Sequence, residues 1–199
     1  GFLAGTNFAL QMHYNNPSGT STIRDSSGVK ISFTPFFRPT TSHFLQVGVL
    51  TNRIALPPKT ITHLSFTCPA GTAIPAGASA IVWTNGLHAH TRSRMIWVEH
   101  IRGTLTIGFV GCNPFYDFNR QTFEMRNATV LRGDSFKIHC QWDTSNDTAV
   151  VTGGESTTQE MCLAFLGFFP VGFTVNSDFE CYGPPVQETP VTVPNGVCT

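Results

Sequence analysis

The sequence predicts an all-β protein, a sandwich or a barrel, on three observations. Short β-branched and aromatic runs recur between Gly, Pro and Asn punctuation, while helical periodicity is almost absent. Only 12% of the 199 residues are charged against 41% apolar, so the surface draws its polarity from Thr, Ser, Asn and Gly, as suits an extracellular β-protein. Six cysteines, Cys68, Cys112, Cys140, Cys162, Cys181 and Cys198, are scattered with no C-x-x-C pair. That argues for disulfides in an oxidising compartment over zinc, with fifteen pairings open.

Taken in order, the first strand is expected over 8–14. Residues 15–27, with Asn-Asn-Pro-Ser-Gly and Asp-Ser-Ser-Gly, are turn chemistry throughout and read as a connector at a domain boundary. Further strands are expected over 29–34, 44–50, 61–68, 80–90, 95–100, 104–109, 123–130, 135–141 and 161–169. Each is a β-rich run closed by turn residues. Residues 183–199 hold four prolines and no periodic pattern, so an extended surface tail is expected unless Cys198 ties it down.

The 12 basic and 12 acidic residues are dispersed and give no clustered positive field for phosphate backbones, which excludes a nucleic-acid role. No apolar run approaches the roughly 20 residues of a membrane-spanning helix. The chain lacks an initiator Met and a signal peptide, and it reads as a mature product or an excised piece. Two acceptor sequons, at Asn127 and Asn146, imply glycosylation and support a secreted or secretory-lumen location. Asn16 precedes Pro17 and does not count.

Leu87-His88-Ala89-His90 sits in an expected strand, where residues two apart project from one face, so both imidazoles converge. Such a pair suits copper, zinc, nickel or iron, the remaining ligands deciding among them. Most such pairs in β-proteins are ordinary histidines. No H-E-x-x-H, Walker loop, G-x-G-x-x-G or G-x-S-x-G accompanies this one.

The loop Gly153-Gly154-Glu155-Ser156-Thr157-Thr158-Gln159-Glu160-Met161-Cys162 alters those odds. With the H-x-H pair before it, it resembles the copper type II, ascorbate-dependent monooxygenases, which include dopamine β-monooxygenase and peptidylglycine α-hydroxylating monooxygenase. Leu10-Gln11-Met12-His13-Tyr14, Leu56-Pro57-Pro58 and residues 113–125 carry the likeness over about 1–182. The resemblance implies an antiparallel jelly-roll-like β-sandwich stapled by disulfides. It implies copper bound by His88, His90 and Met161, which are also the catalytic residues, and C–H hydroxylation with O2 and ascorbate-derived electrons. A soft thioether beside two imidazoles fits a copper that cycles between oxidation states; the plainer role for Met161 is core packing. The likeness also implies bridges Cys68–Cys181 and Cys140–Cys162, leaving Cys112 and Cys198 to pair with each other or with another chain.

Organisation follows from the same likeness. Residues 1–16 are expected to be the last strand of a preceding His-rich copper domain, 17–28 a connector, 29–182 the C-terminal copper-binding domain and 183–199 a tail. His13 matches the last ligand of the family's second copper, whose other ligands would lie upstream. His43, His63, His100 and His139 match no family ligand and are assigned structural roles. Where peptide-amidating members hold a substrate carboxylate, this sequence has Gly86, Leu163 and Phe165, so a small apolar or aromatic substrate is expected, with Phe165, Phe168 and Phe169 as walls. The competing readings are a non-catalytic extracellular assembly module with a vestigial copper site, and a copper carrier.

Overall fold

The computed structural model describes residues 5–10, 12, 14, 16, 18–170 and 180–192. Two compact units divide the chain, Gly1–Thr41 and Ser42–Thr199. In the first, no strand forms among the described residues. Asp25 closes a turn there, accepting the Tyr14 hydroxyl at 2.8 Å and the Ser27 N–H at 2.9 Å. The strand expected over 29–34 is not formed, and the described part of 8–14 forms none. Val29, Ile31 and Phe33 alternate as a strand would, yet all three are exposed, Phe33 at 93%. The pattern is present without a neighbouring strand to take up the ladder, and a lone strand is not stable in water.

The second unit holds β1 (His43–Val49), β2 (Ala55–Leu56), β3 (Ile61–Cys68), β4 (Ser79–His88), β5 (Ser93–Arg102), β6 (Leu105–Asn113), β7 (Phe123–Leu131), β8 (Asp134–Asp143), β9 (Val151–Thr152), β10 (Leu163–Phe169), β11 (Glu180–Gly183) and β12 (Val186–Glu188). The sandwich therefore starts at β1 and not at residue 29. One sheet runs β11-β1-β10-β4-β7, the other β12-β3-β8-β5-β6, and β2 pairs with β9. Neighbours are antiparallel except β1 with β11, which run parallel. Val47, Val82 and Leu166 from the first sheet meet Ile96, Val98, Phe136 and Ile138 from the second in the shared core. Alternation along each strand puts these side chains inside because period-two patterning has one buried face.

Two bridges fasten the layers. Cys68 on β3 is bonded to Cys181 on β11, and Cys140 on β8 to Cys162 at the entrance to β10. Cys112, on β6, is also disulfide-bonded; its expected partner, Cys198, lies outside the described residues.

Part of the expected tail is an edge strand. Val186, Gln187 and Glu188 pair with Ser65, Leu64 and His63, between Pro184-Pro185 and Pro190, which cannot donate to a ladder and so limit the strand to three residues. Glu188 accepts from the Ser65 hydroxyl at 2.6 Å and pairs with Lys137 at 2.7 Å. Below it His63 Nε2 lies 3.0 Å from His139 Nδ1, and His139 stacks on Trp97 with centroids 4.5 Å apart.

The turn that carries the chain from β7 in one sheet to β8 in the other passes through Gly133, at φ +90°, a conformation open to glycine. The buried Asp134 then accepts the Leu131 N–H at 2.9 Å, Arg102 Nε and Nη2 at 2.8 Å each, and faces His100 Nε2 at 2.8 Å.

Candidate metal centre

β4 ends at His88, and His90 lies just beyond it, so the strand expected over 80–90 ends two residues earlier. The two imidazoles remain neighbours, with ring centroids 5.2 Å apart and planes at 83°. His90 is buried, and its Nδ1 lies 3.0 Å from the Gln159 carbonyl oxygen. A carbonyl only accepts, so His90 Nδ1 carries the proton and Nε2 keeps its lone pair. His88 Nδ1 is likewise engaged, 2.5 Å from Gln121 Oε1. Burial pushes the His88 imidazole below its ordinary pKa and His90 adds to this, while the Gln121 bond and Glu160 oppose it. The net direction favours the neutral ring that a metal requires.

Glu160 joins the two expected motifs. Its carboxylate is fully buried and accepts the His90 N–H at 2.9 Å, the Arg92 N–H at 2.7 Å and the Trp142 Nε1–H at 3.0 Å. Burial raises its pKa, and these donors act against that rise. Between the histidines, Ala89 is held by one phenol: Tyr116 Oη donates to the Ala89 carbonyl at 2.7 Å and accepts its N–H at 3.0 Å. Burial pushes that phenol up to about 12.

Met161 follows Glu160 and is half-buried. The β4–β10 register pairs Leu163 with His88, so the same antiparallel count, continued outward, sets Met161 opposite His90. Cys162, bridged to Cys140, anchors the next residue. Among the described residues no three His, Cys, Asp or Glu side chains gather as a ligand set. The donors shown at this end of the sandwich are two imidazoles with engaged Nδ1 atoms, and Met161 lies one residue beyond Glu160, whose carboxylate holds the His90 N–H; two imidazoles with a thioether are a set whose chemistry fits copper.

Beside His88 lies a cavity of about 290 Å³ lined by Gly86, Leu87, His88, Gln121, Thr122, Phe123 and Phe165. None of these carries a fixed charge. A Cβ on Gly86 would lie 2.7 Å from the Phe123 ring, so glycine is what lets that ring lie over β4. Phe165 is an expected wall and is one, its ring 6.5 Å from Phe123. Phe168 instead packs on Phe136 at 5.8 Å in the core, and Phe169 does not line the cavity. Strand alternation alone separates Phe165 from Phe168.

His13 lies outside the described residues. Asn127 is exposed on β7 and Asn146 is exposed in the turn after β8. Sequence reasoning missed Gln121, Tyr116, Trp142 and Glu160. Of these only Glu160 had a signal, an acidic residue next to Met161 at the mouth of a buried strand.

Residues 41–184 match the family model described as "Copper type II ascorbate-dependent monooxygenase, C-terminal domain". Among curated relatives, "DBH-like monooxygenase protein 1" of Gallus gallus is 29% identical over 172 residues, 81% of this chain and 28% of that protein. "MOXD1 homolog 1" of Drosophila melanogaster is 30% identical over 169 residues, 82% of this chain and 24% of that protein. "Dopamine beta-hydroxylase" of Rattus norvegicus is 29% identical over 167 residues, covering 81% and 27%. The chain thus spans under a third of the length of these relatives.

Proposed function

The chain belongs to the copper type II ascorbate-dependent monooxygenase family through its C-terminal domain, and from that premise we propose that it forms the site where a C–H bond of a small apolar substrate is hydroxylated. His88, His90 and Met161 would hold one copper. When bound, that copper would supply O2 activation, the overall reaction placing one oxygen atom in the C–H bond and releasing the other as water for two electrons and two protons. The electrons come from ascorbate through a preceding His-rich copper domain of the parent protein, to which His13 contributes a ligand.

The chain's own residues do the positioning. Tyr116 fixes the backbone between the two imidazoles, and Glu160 ties the His90 main chain to the segment carrying Met161. Phe123 and Phe165 present ring faces to a substrate lying against His88, and the absence of a cation there disfavours a carboxylate. Disulfides and exposed sequons support an oxidising secretory compartment with glycosylation at Asn127 and Asn146. No helix of the described residues is long and apolar enough to cross a membrane.

The observation that carries the reading is the pair of neighbouring imidazoles whose Nδ1 atoms are both occupied, with Glu160, the residue before Met161, bonded to the His90 main chain. The test is X-ray absorption on the reduced, copper-loaded protein. A sulfur scatterer is expected that disappears in Met161→Ile; its retention removes Met161 from the site. The parent protein should also consume O2 in step with ascorbate and a hydrophobic substrate, while this chain alone turns over poorly.

A further inference from the structure

We propose that Gln121 is a positioning residue that fixes which nitrogen of His88 is free to bind metal, and that the turn bearing it supports both imidazoles; this rests on the copper reading above. The argument starts at the Phe118 carbonyl, which only accepts. Gln121 Nε2 donates to it at 2.9 Å, and that bond settles the orientation of an amide whose two ends are otherwise interchangeable. Its oxygen therefore faces His88, 2.5 Å from Nδ1. An amide oxygen cannot donate, so the proton sits on Nδ1 and the lone pair on Nε2.

The same short turn, Phe118–Arg120, meets the other ring. Phe118 lies edge-on to His90 with centroids 5.9 Å apart, and the turn is itself pinned by Asp117, whose carboxylate accepts the Asn119 N–H at 2.9 Å. One residue thus steadies His90 by its ring and His88, through Gln121, by its carbonyl. His90 does not need the amide, since Gln159 supplies its acceptor. Gln121 also lines the cavity beside His88. A partner on the far nitrogen of a metal-binding imidazole orients the ring and raises its basicity, and losing one typically costs about 10–100-fold in metal affinity.

The experiment uses the full chain, labelled with 15N-histidine, in wild-type, Gln121→Leu and Gln121→Glu forms. Long-range 1H–15N spectra of the metal-free proteins report the tautomer of each ring, and competition with a chromophoric chelator reports Cu(I) affinity. Gln121 is exposed, so both variants should keep the wild-type unfolding midpoint. The expected result is His88 protonated on Nδ1 in wild type and Gln121→Glu, a mixture of tautomers in Gln121→Leu, and His90 unchanged throughout. Cu(I) affinity should fall about tenfold or more in Gln121→Leu and recover in Gln121→Glu, which keeps the acceptor. An Nδ1-protonated His88 with undiminished affinity in Gln121→Leu overturns the inference. Failure of the wild type to take up copper would sink the functional reading instead, and the metal-free spectra would still decide the role of Gln121.

Discussion

The buried carboxylate of Glu160 accepts the backbone N–H of His90 at 2.9 Å, so the residue before Met161 is bonded to the main chain of a neighbouring imidazole. Two motifs 70 residues apart are thereby held at one distance by a side chain that need not touch a metal. A buried carboxylate survives only if its lone pairs are used, and this one takes three donors.

Removing that carboxylate is expected to cost stability in a graded way. Glu160→Ala leaves the His90 N–H, the Arg92 N–H and the Trp142 Nε1–H without their acceptor, each worth about 1–3 kcal/mol when stranded. In Glu160→Gln the amide oxygen keeps the two donors that Oε2 serves, and only the Arg92 N–H meets another donor, so a loss of about 1–3 kcal/mol is expected. Urea unfolding of both variants checks the order. Equal losses would mean that the three bonds are not what holds the segment.

The cavity beside His88 is expected to prefer a neutral aromatic molecule to its acid. Saturation-transfer NMR should detect 2-phenylethanol and not phenylacetate, because the lining offers two phenyl rings and no cation. Phe123→Ala should weaken binding of the alcohol about two- to tenfold, the value of one aromatic pair, with Cu(I) affinity unchanged. Preferential binding of phenylacetate would contradict this assignment.

Acid stability is expected to depend on Asp134. Burial alone would raise its pKa, but the donors from Arg102, Leu131 N–H and His100 outweigh it and hold the group at about 2, below the roughly 3.9 of an unfolded aspartate. The folded pKa is depressed, so the contribution is fully present above about pH 4 and is lost as pH falls toward 2. Asp134→Asn should therefore be less stable than wild type at pH 7, by about 1–3 kcal/mol, with the gap closing toward pH 2. A gap independent of pH would show that the charge is irrelevant.

The sequence was legible where a residue acts on its neighbours in its own strand. β4, β5, β8 and β10 follow from β-rich runs, and short motifs single out His88, His90 and Met161 as the proposed ligands. It was misleading at 29–34, where the alternation of Val29, Ile31 and Phe33 is real but pairing needs a second strand, and at β12, whose flanking prolines looked like a tail. Gln121 and Tyr116 were illegible for a different reason. They act on His88 and Ala89 from 33 and 27 residues away, and only the antiparallel return of the chain makes them neighbours.

The two described disulfides should separate stability from ligand geometry. Cys68–Cys181 closes 113 residues and Cys140–Cys162 closes 22, so chain entropy assigns them about 5 and about 3 kcal/mol. Their positions reverse that ranking for the site. Cys68 and Cys181 join β3 to β11, whereas Cys162 is bonded to Met161 along the chain and its bridge fastens that segment to β8, the strand that carries Trp142 and its bond to Glu160. Replacing Cys68 and Cys181 by Ala should cost the larger unfolding free energy yet leave Cu(I) affinity within about twofold, as for distant independent sites. Replacing Cys140 and Cys162 should cost less stability but lower Cu(I) affinity about tenfold, because the thioether then samples positions away from the imidazoles. Urea unfolding and chelator competition on the same two proteins give both numbers. If affinity falls in step with stability across the pair, the bridge beside Met161 acts only as a staple, and the site's geometry must be held by the side chains around it, Glu160, Tyr116 and Gln121.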